Sequence, residues 1–381
     1  MKLSRLLLVA MLASAVQTLA QSADNKKETS PPAKADTDWP VFRGNPLQTG
    51  VAGAPLPDSL VVRWKFKAKD AVEGSAAIAN GVVYIGAMDG SLYALDLATG
   101  KAKWTYKAGP IKGGPSFHDG KVFVGDADGI FHCVDANTGK KLWTYDAGGE
   151  VTSGGNFSGK TVIFGAYDEH LRCLSFDGKE LWKFNVPGGP VLASPVVAAG
   201  RTYVSGCDST LHMIDTKTGK ELGAVQLEGQ TGASAAVVGD DLYVGTMSNQ
   251  MLAIDLKKET VKWKYESAEN PQPFYASPAV LGDLVVVGNR DKRVHAFVRQ
   301  TGKPAWEFAS EGKVDSSPVI AGKQVYVGSN DGNLYVLDLA GGTLVQKLNL
   351  GGPISASPAV AAGYLIIGTQ NGIVYGLGKE E

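Results

Sequence analysis

Histidine, methionine and cysteine are scarce in this chain of 381 residues, with five, six and three copies respectively. No Cys-x-x-Cys-His string occurs, which excludes covalent haem attachment. Charge of one sign is missing as well. The 37 basic and 38 acidic residues leave a formal net charge of −1, so no global field draws in nucleic acid or an anionic membrane. The apolar run from Leu6 to Ala15 is too short to span a bilayer. What the chain has in excess is glycine, 48 residues, which fits a sequence punctuated by turns, and a 44% hydrophobic fraction sufficient for a large core.

The first residues read as an export signal over 1–20: Lys2 and Arg5, then the apolar run, then Thr18-Leu19-Ala20 as a cleavage site. Gln21 follows, and no cysteine precedes Cys133, so no lipid-anchor cysteine is expected. Residues 21–38, rich in Lys, Asp, Ser, Thr and Pro, read as a disordered linker. The mature protein is expected to be exported to the periplasm or secreted, without a transmembrane segment, and monomeric.

From residue 61 onward the chain rewrites one hairpin. Leu92–Leu95 is a strand, Asp96–Gly100 a turn and Lys101–Tyr106 a returning strand that carries Trp104, and the pattern recurs almost intact from Asp128 to Trp143. A glycine ends an inner strand at Gly86, Gly125, Gly165, Gly206, Gly245, Gly288, Gly328 and Gly368, spaced by 39 to 43 residues. About ten residues before each lies another strand, often with Ser-Pro (Ser194-Pro195, Ser277-Pro278, Ser317-Pro318, Ser357-Pro358). Proline there suggests an edge strand. The outer-strand positions are Trp104, Trp143, Trp182, Gly223, Trp263, Trp306 and Gln346. The eighth repeat ends at Gly378 without an outer strand, while Val62–Phe66, with Trp64, is an outer strand with no repeat before it.

Joining the two ends closes a ring, so the sequence predicts an all-β fold: a single eight-bladed β-propeller of four-stranded blades over 61–379, its last blade completed by an N-terminal strand. A β-solenoid is the competitor, but a solenoid has no need of complementary ends. Cys133 and Cys173 fall at equivalent positions of adjacent repeats, roughly 10 Å apart in such a ring and beyond disulfide reach, so buried free thiols are expected.

The hairpin motif Ala/Val-x-Asp-x-x-Thr-Gly-Lys-x-x-Trp, at Ala94–Trp104 and Cys133–Trp143, resembles the tryptophan-docking motif of quinoprotein-type propellers, the PQQ-like repeat family. Trp39-Pro40-Val41-Phe42-Arg43-Gly44-Asn45 resembles the leader strap that precedes such propellers, here assigned to 39–60. BamB-type outer-membrane assembly factors are members of about this length. Departures are Gly223 and Gln346 for tryptophan, Val298 for the turn aspartate, Lys258-Glu259 for Thr-Gly, and a shortened turn at Ser175–Gly178. They leave the docking girdle incomplete beside blades four and seven, as soft points or with other side chains filling in. Trp39, in the leader, is expected to matter less to stability than Trp143.

The resemblance implies two functions. One is a non-catalytic interaction scaffold in the cell envelope, with envelope proteins and possible barrel-assembly components as partners. The other is an oxidoreductase using pyrroloquinoline quinone (PQQ) with calcium, which would need a cation-holding carboxylate set and commonly an adjacent cysteine pair, absent from this sequence. A propeller that binds a small ligand or carbohydrate is a third reading. No catalytic, metal or cofactor-binding residue is assigned, because His132, His212 and His295 occupy one repeat column with Tyr93, Arg172, Leu252, Tyr335 and Tyr375, on different blades where ligands do not converge. Glu73, Lys112 and Asp315 are expected at the channel mouth, each one residue into an inner strand, with Glu73 and Asp315 facing each other. The loops of one face supply the binding candidates Met88, Tyr167, Phe274, Tyr275, Arg290 and Arg293 as exposed anchors.

Overall fold

A computed structural model describes residues 37–267 and 270–380, and the expected signal and nearly all of the expected linker lie outside them. Thirty-two strands form eight four-stranded antiparallel sheets, and among the described residues no helix occurs. The first blade runs outward from the channel as Ala77–Ala79, Val82–Ala87, Ser91–Asp96 and Ala102–Lys107. The pattern of burial follows that order: the second and third strands are buried on both faces, and the outer strand alternates half-buried with exposed residues. The eighth blade, Ala359–Ala361, Tyr364–Gly368 and Ile373–Gly378, takes Val61–Lys67 as its outer strand, with Trp64 opposite Gly376. Its inner strand packs beside that of blade one, which closes the ring.

Two contacts join each blade to the next. Near the channel, the glycine ending a second strand admits an apolar side chain from the following blade: a Cβ on Gly125 would stand 2.2 Å from Val151 Cγ1, and one on Gly328 would stand 2.2 Å from Ile354 Cγ2. Blade four departs from the expected register. Its second strand is Arg201–Ser205, so Ser205, not Gly206, holds the position, and the apolar partner is replaced by Thr231, whose Oγ1 donates to Ser205 Oγ at 2.6 Å.

At the rim, each docking tryptophan lies on the turn glycine of the next blade and donates its indole N–H to the carbonyl just after the turn aspartate or the residue that replaces it. Trp64 reaches Leu97, Trp104 Ala136, Trp143 Phe176, Trp182 Thr216, Trp263 Arg299 and Trp306 Leu339, at 2.8–3.0 Å. The blade-seven junction has no such turn, because the chain breaks there. Gln346 bonds instead to Leu60 in both directions, accepting its N–H at 3.0 Å and donating to its carbonyl at 2.8 Å. Cys133 and Cys173 are free and buried as expected, and burial pushes their thiols up to about 12 and about 11.

The strap bears on two expectations. Backbone bonds carry it along the inner strands in blade order: Trp39 with Ile78, then Phe117 to Pro40, Val197 to Pro46, Val237 to Leu47, Val280 to Thr49 and Ile320 to Gly50. Trp39 is only 2% exposed and belongs to the core of blades one and eight, so it is more buried than Trp143. The Ser-Pro prolines stand just ahead of the inner strands, as Pro195 does before Val196–Ala198, leaving their carbonyls free to accept strap side chains: Gln48 binds Pro195 and Arg43 binds Pro278.

Candidate functional site

The channel wall is built by the segment that enters each inner strand. Two positions per blade face the axis. The outer ring of eight is Glu73, Lys112, Thr152, Leu192, Gly232, Tyr275, Asp315 and Ser355. The deeper ring is Ser75, Gly114, Gly154, Ser194, Ser234, Ser277, Ser317 and Ser357. They enclose a cavity of about 340 Å³ with Phe42 of the strap at its far end. The serines also tie the ring together. The backbone N–H of Ser194 donates to Ser234 Oγ, that of Ser234 to Ser277, that of Ser277 to Ser317 and that of Ser317 to Ser357, at 2.8–3.0 Å.

The charges at the mouth are mostly spent on one another. Lys112 Nζ lies 2.5 Å from Glu150, and that hydrogen bond, acting against burial, holds the ammonium above its usual range. Arg290 donates to both oxygens of Asp315, at 2.7 and 3.2 Å, and its guanidinium sits 3.8 Å above the ring of Tyr275. Asn330 adds a 3.3 Å bond to Asp315. Met247 and Tyr275 flank Gly232 and give this side of the mouth an apolar lip.

Glu73, Lys112 and Asp315 therefore do line the channel, but from the loops, four residues ahead of inner strands that begin at Ala77, Ser116 and Val319. Asp315 is committed to Arg290, and among the described residues no bond joins it to Glu73. Tyr275 and Arg290 lie at the mouth, Tyr167 is 41% exposed beside it, and Met88 is half-buried, its N–H bonded to Ala71. Phe274 is a correction. It is fully buried, because it is the apolar wedge that blade six sets against Gly245, with a virtual Cβ there 2.5 Å from Phe274 Cβ. Arg293 lies outside the site, on the third strand of blade six and paired with Glu307 on the outer one. The residues that sequence reasoning missed are Glu150, Met247, Asn330 and Phe42. Met247 and Asn330 fall in the repeat column of Tyr167 and Arg290, which was a usable signal, whereas nothing in the strap marks Phe42.

The histidine column is structural. In five blades the third-strand side chain pairs with a loop carboxylate: Tyr93 with Asp89, His132 with Asp126, His212 with Asp208, His295 with Asp291 and Tyr335 with Asp331, at 2.5–2.9 Å. Arg172 pairs in the same way with Asp168. Among the described residues no cluster of three or more His, Cys, Asp or Glu is placed to hold a metal ion.

A closed eight-bladed propeller with tryptophan-docked blades and a polar channel mouth defines the class of this protein. The family model described as outer membrane protein assembly factor BamB matches residues 61–161, 127–273 and 263–381, and the chain belongs to that family. It is 27% identical over 133 residues to the outer membrane protein assembly factor BamB of Burkholderia pseudomallei, covering 35% of this chain and 34% of the relative. It is 35% identical over 135 residues to quinohemoprotein alcohol dehydrogenase ADH IIB of Pseudomonas putida, covering 30% of this chain and 20% of that one. These matches span about a third or less of the relatives' lengths. Among solved structures, BamB from Moraxella catarrhalis aligns with a TM-score of 0.72 at 22% identity, covering 85% of this chain and 98% of that one. A europium-containing methanol dehydrogenase aligns with a TM-score of 0.79 at 14% identity over 90% and 98%. Both structural likenesses speak for the fold.

The quinone cofactor can be tested against the residues present. A tricarboxylate quinone needs unspent cations, but Lys112 and Arg290 are each bound to a carboxylate, and a calcium ion needs converging oxygens, which Glu73 and the committed Asp315 do not provide. The donor set does not fit the pair.

Proposed function

We propose that this protein is an exported, non-catalytic propeller that serves as a protein-interaction scaffold in the cell envelope, presenting the channel-mouth face to an envelope partner of the outer-membrane barrel-assembly kind. Membership of the BamB family across the whole ring carries this reading. The mouth supports it: Tyr167, Tyr275, Met247 and Arg290 are side-chain types that anchor interfaces, held on a rigid wall. The similarity to quinohemoprotein dehydrogenases supports the oxidoreductase reading, which the mismatch of the donor set opposes.

Affinity capture from an envelope extract tests the proposal. The wild-type protein should recover barrel-assembly proteins, and Tyr167→Ala with Tyr275→Ala should reduce recovery at unchanged melting temperature. Calorimetry with PQQ and calcium should show no saturable binding. Stoichiometric binding would instead promote the oxidoreductase.

A further inference from the structure

Four charged side chains line the channel, and three of them are spent: Lys112 on Glu150, and Arg290 and Asp315 on each other. Glu73 is different. Among the described residues it makes no hydrogen bond or ion pair, and Lys112 Nζ, whose ammonium feels the Glu73 charge, is bonded to Glu150. Counting Glu150, the mouth holds three carboxylates against two cations, which leaves one negative charge inside a concave wall. Such a wall focuses the field and favours a cation.

We propose that the channel receives one lysine side chain from a loop of the protein partner, with Glu73 as its counter-charge; this rests on the scaffold reading above. The cavity of about 340 Å³ lies in the range of built small-ligand sites and admits a four-carbon stem, with Leu192 and Tyr275 to cover the methylenes. At the tip, an ammonium needs three acceptors, and the ring that carries Glu73 also offers the hydroxyls of Thr152 and Ser355. A free anion finds no equivalent, because both cations at the mouth are already neutralised in place. Charge complementarity therefore selects the occupant.

The test uses the full-length mature protein with carbon-13-labelled tyrosine and, as probe, N-acetyl-lysine amide. Tyr275 is assigned by its disappearance in Tyr275→Phe. The Tyr275 ring resonance should shift saturably, the dissociation constant should rise about tenfold in Glu73→Gln, and the uncharged N-acetyl-norleucine amide should give no shift. Because Glu73 makes no bond among the described residues, the variant should melt like the wild type. Equal binding by Glu73→Gln, or by the norleucine amide, overturns the proposal, and tighter binding of spermidine than of the lysine probe reassigns the channel to free polyamines and overturns its protein-partner form. If lysine binds through Glu73 but no envelope protein is captured, the scaffold reading fails and the Glu73 site stands.

Discussion

The carboxylate of Glu259 occupies the space beside Gly223 that an indole fills at six of the other seven blade junctions. A Cβ on Gly223 would stand 2.6 Å from Glu259 Oε1, and Glu259 itself holds the turn position that is glycine beneath every docking tryptophan, with φ at 56°. Two departures that look independent in the sequence are thus the two sides of one contact: where the plate is lost, the residue beneath it has grown.

That reciprocity is measurable. Gly223→Trp alone should destabilise the protein, because the indole meets the Glu259 side chain. Glu259→Gly alone should leave a gap at the rim but relieve a left-handed non-glycine backbone. The double variant rebuilds the pair found at the other junctions and should recover more stability than the sum of the single changes, with a coupling of about 1–3 kcal/mol in chemical denaturation. Additive effects would mean that the two positions do not share a contact.

A second comparison concerns the strap. Trp306 buries its indole and donates to Leu339, while Trp39 is more deeply buried but its Nε1 has no partner among the described residues. Trp39→Ala and Trp306→Ala should therefore cost similar amounts, about 3–5 kcal/mol each, because both remove a large buried apolar plate. Phenylalanine separates them. Trp306→Phe gives up a hydrogen bond worth about 1 kcal/mol and strands the Leu339 carbonyl, whereas Trp39→Phe gives up none. A Trp39→Ala variant as stable as wild type would return the strap to the status of a leader.

The fold was legible because each repeat writes its own strands and turns, and because Trp64 and Gly378 are complementary ends of one blade. What the sequence hid was pairing between repeats. Gly223 and Gln346 read as missing tryptophans because their partners, Glu259 and Leu60, lie one blade away, and Leu60 precedes the repeats altogether. Phe274 read as a loop aromatic for the same reason. Its counterparts Val314 and Ile354 are plainly apolar wedges, but a phenylalanine after Pro271 and Pro273 resembles exposed loop, and only the register against Gly245 shows it to be core. At the site, the column of positions was recoverable while the ion pairs were not, since Lys112 and Glu150, like Arg290 and Asp315, sit on neighbouring blades.

The ring of loop carboxylates sets the acid limit of the fold. At Asp126, burial works against ionisation, but the bonds from His132, Ile130 and Gly109 outweigh it and hold the carboxyl below its usual range. At Asp168, burial is likewise outweighed, by Arg172 and then His170, and at Asp331 by the backbone of Asn333 and the hydroxyl of Tyr335. A carboxylate with a folded pKa below its unfolded one contributes stability that is complete above the unfolded value, about 4, and disappears as pH falls through the folded value. Denaturation midpoints should therefore hold from pH 7 to about 5 and drop steeply below about 4. Asp168→Asn isolates one member. It leaves the buried Arg172 guanidinium with only the more distant Glu180 carboxylate, 3.9 Å away, so it should be clearly less stable than wild type at pH 7, and the difference should narrow toward pH 3 as the wild-type carboxyl takes up its own proton. A constant difference across that range would mean that the Asp168 contribution is packing and not charge.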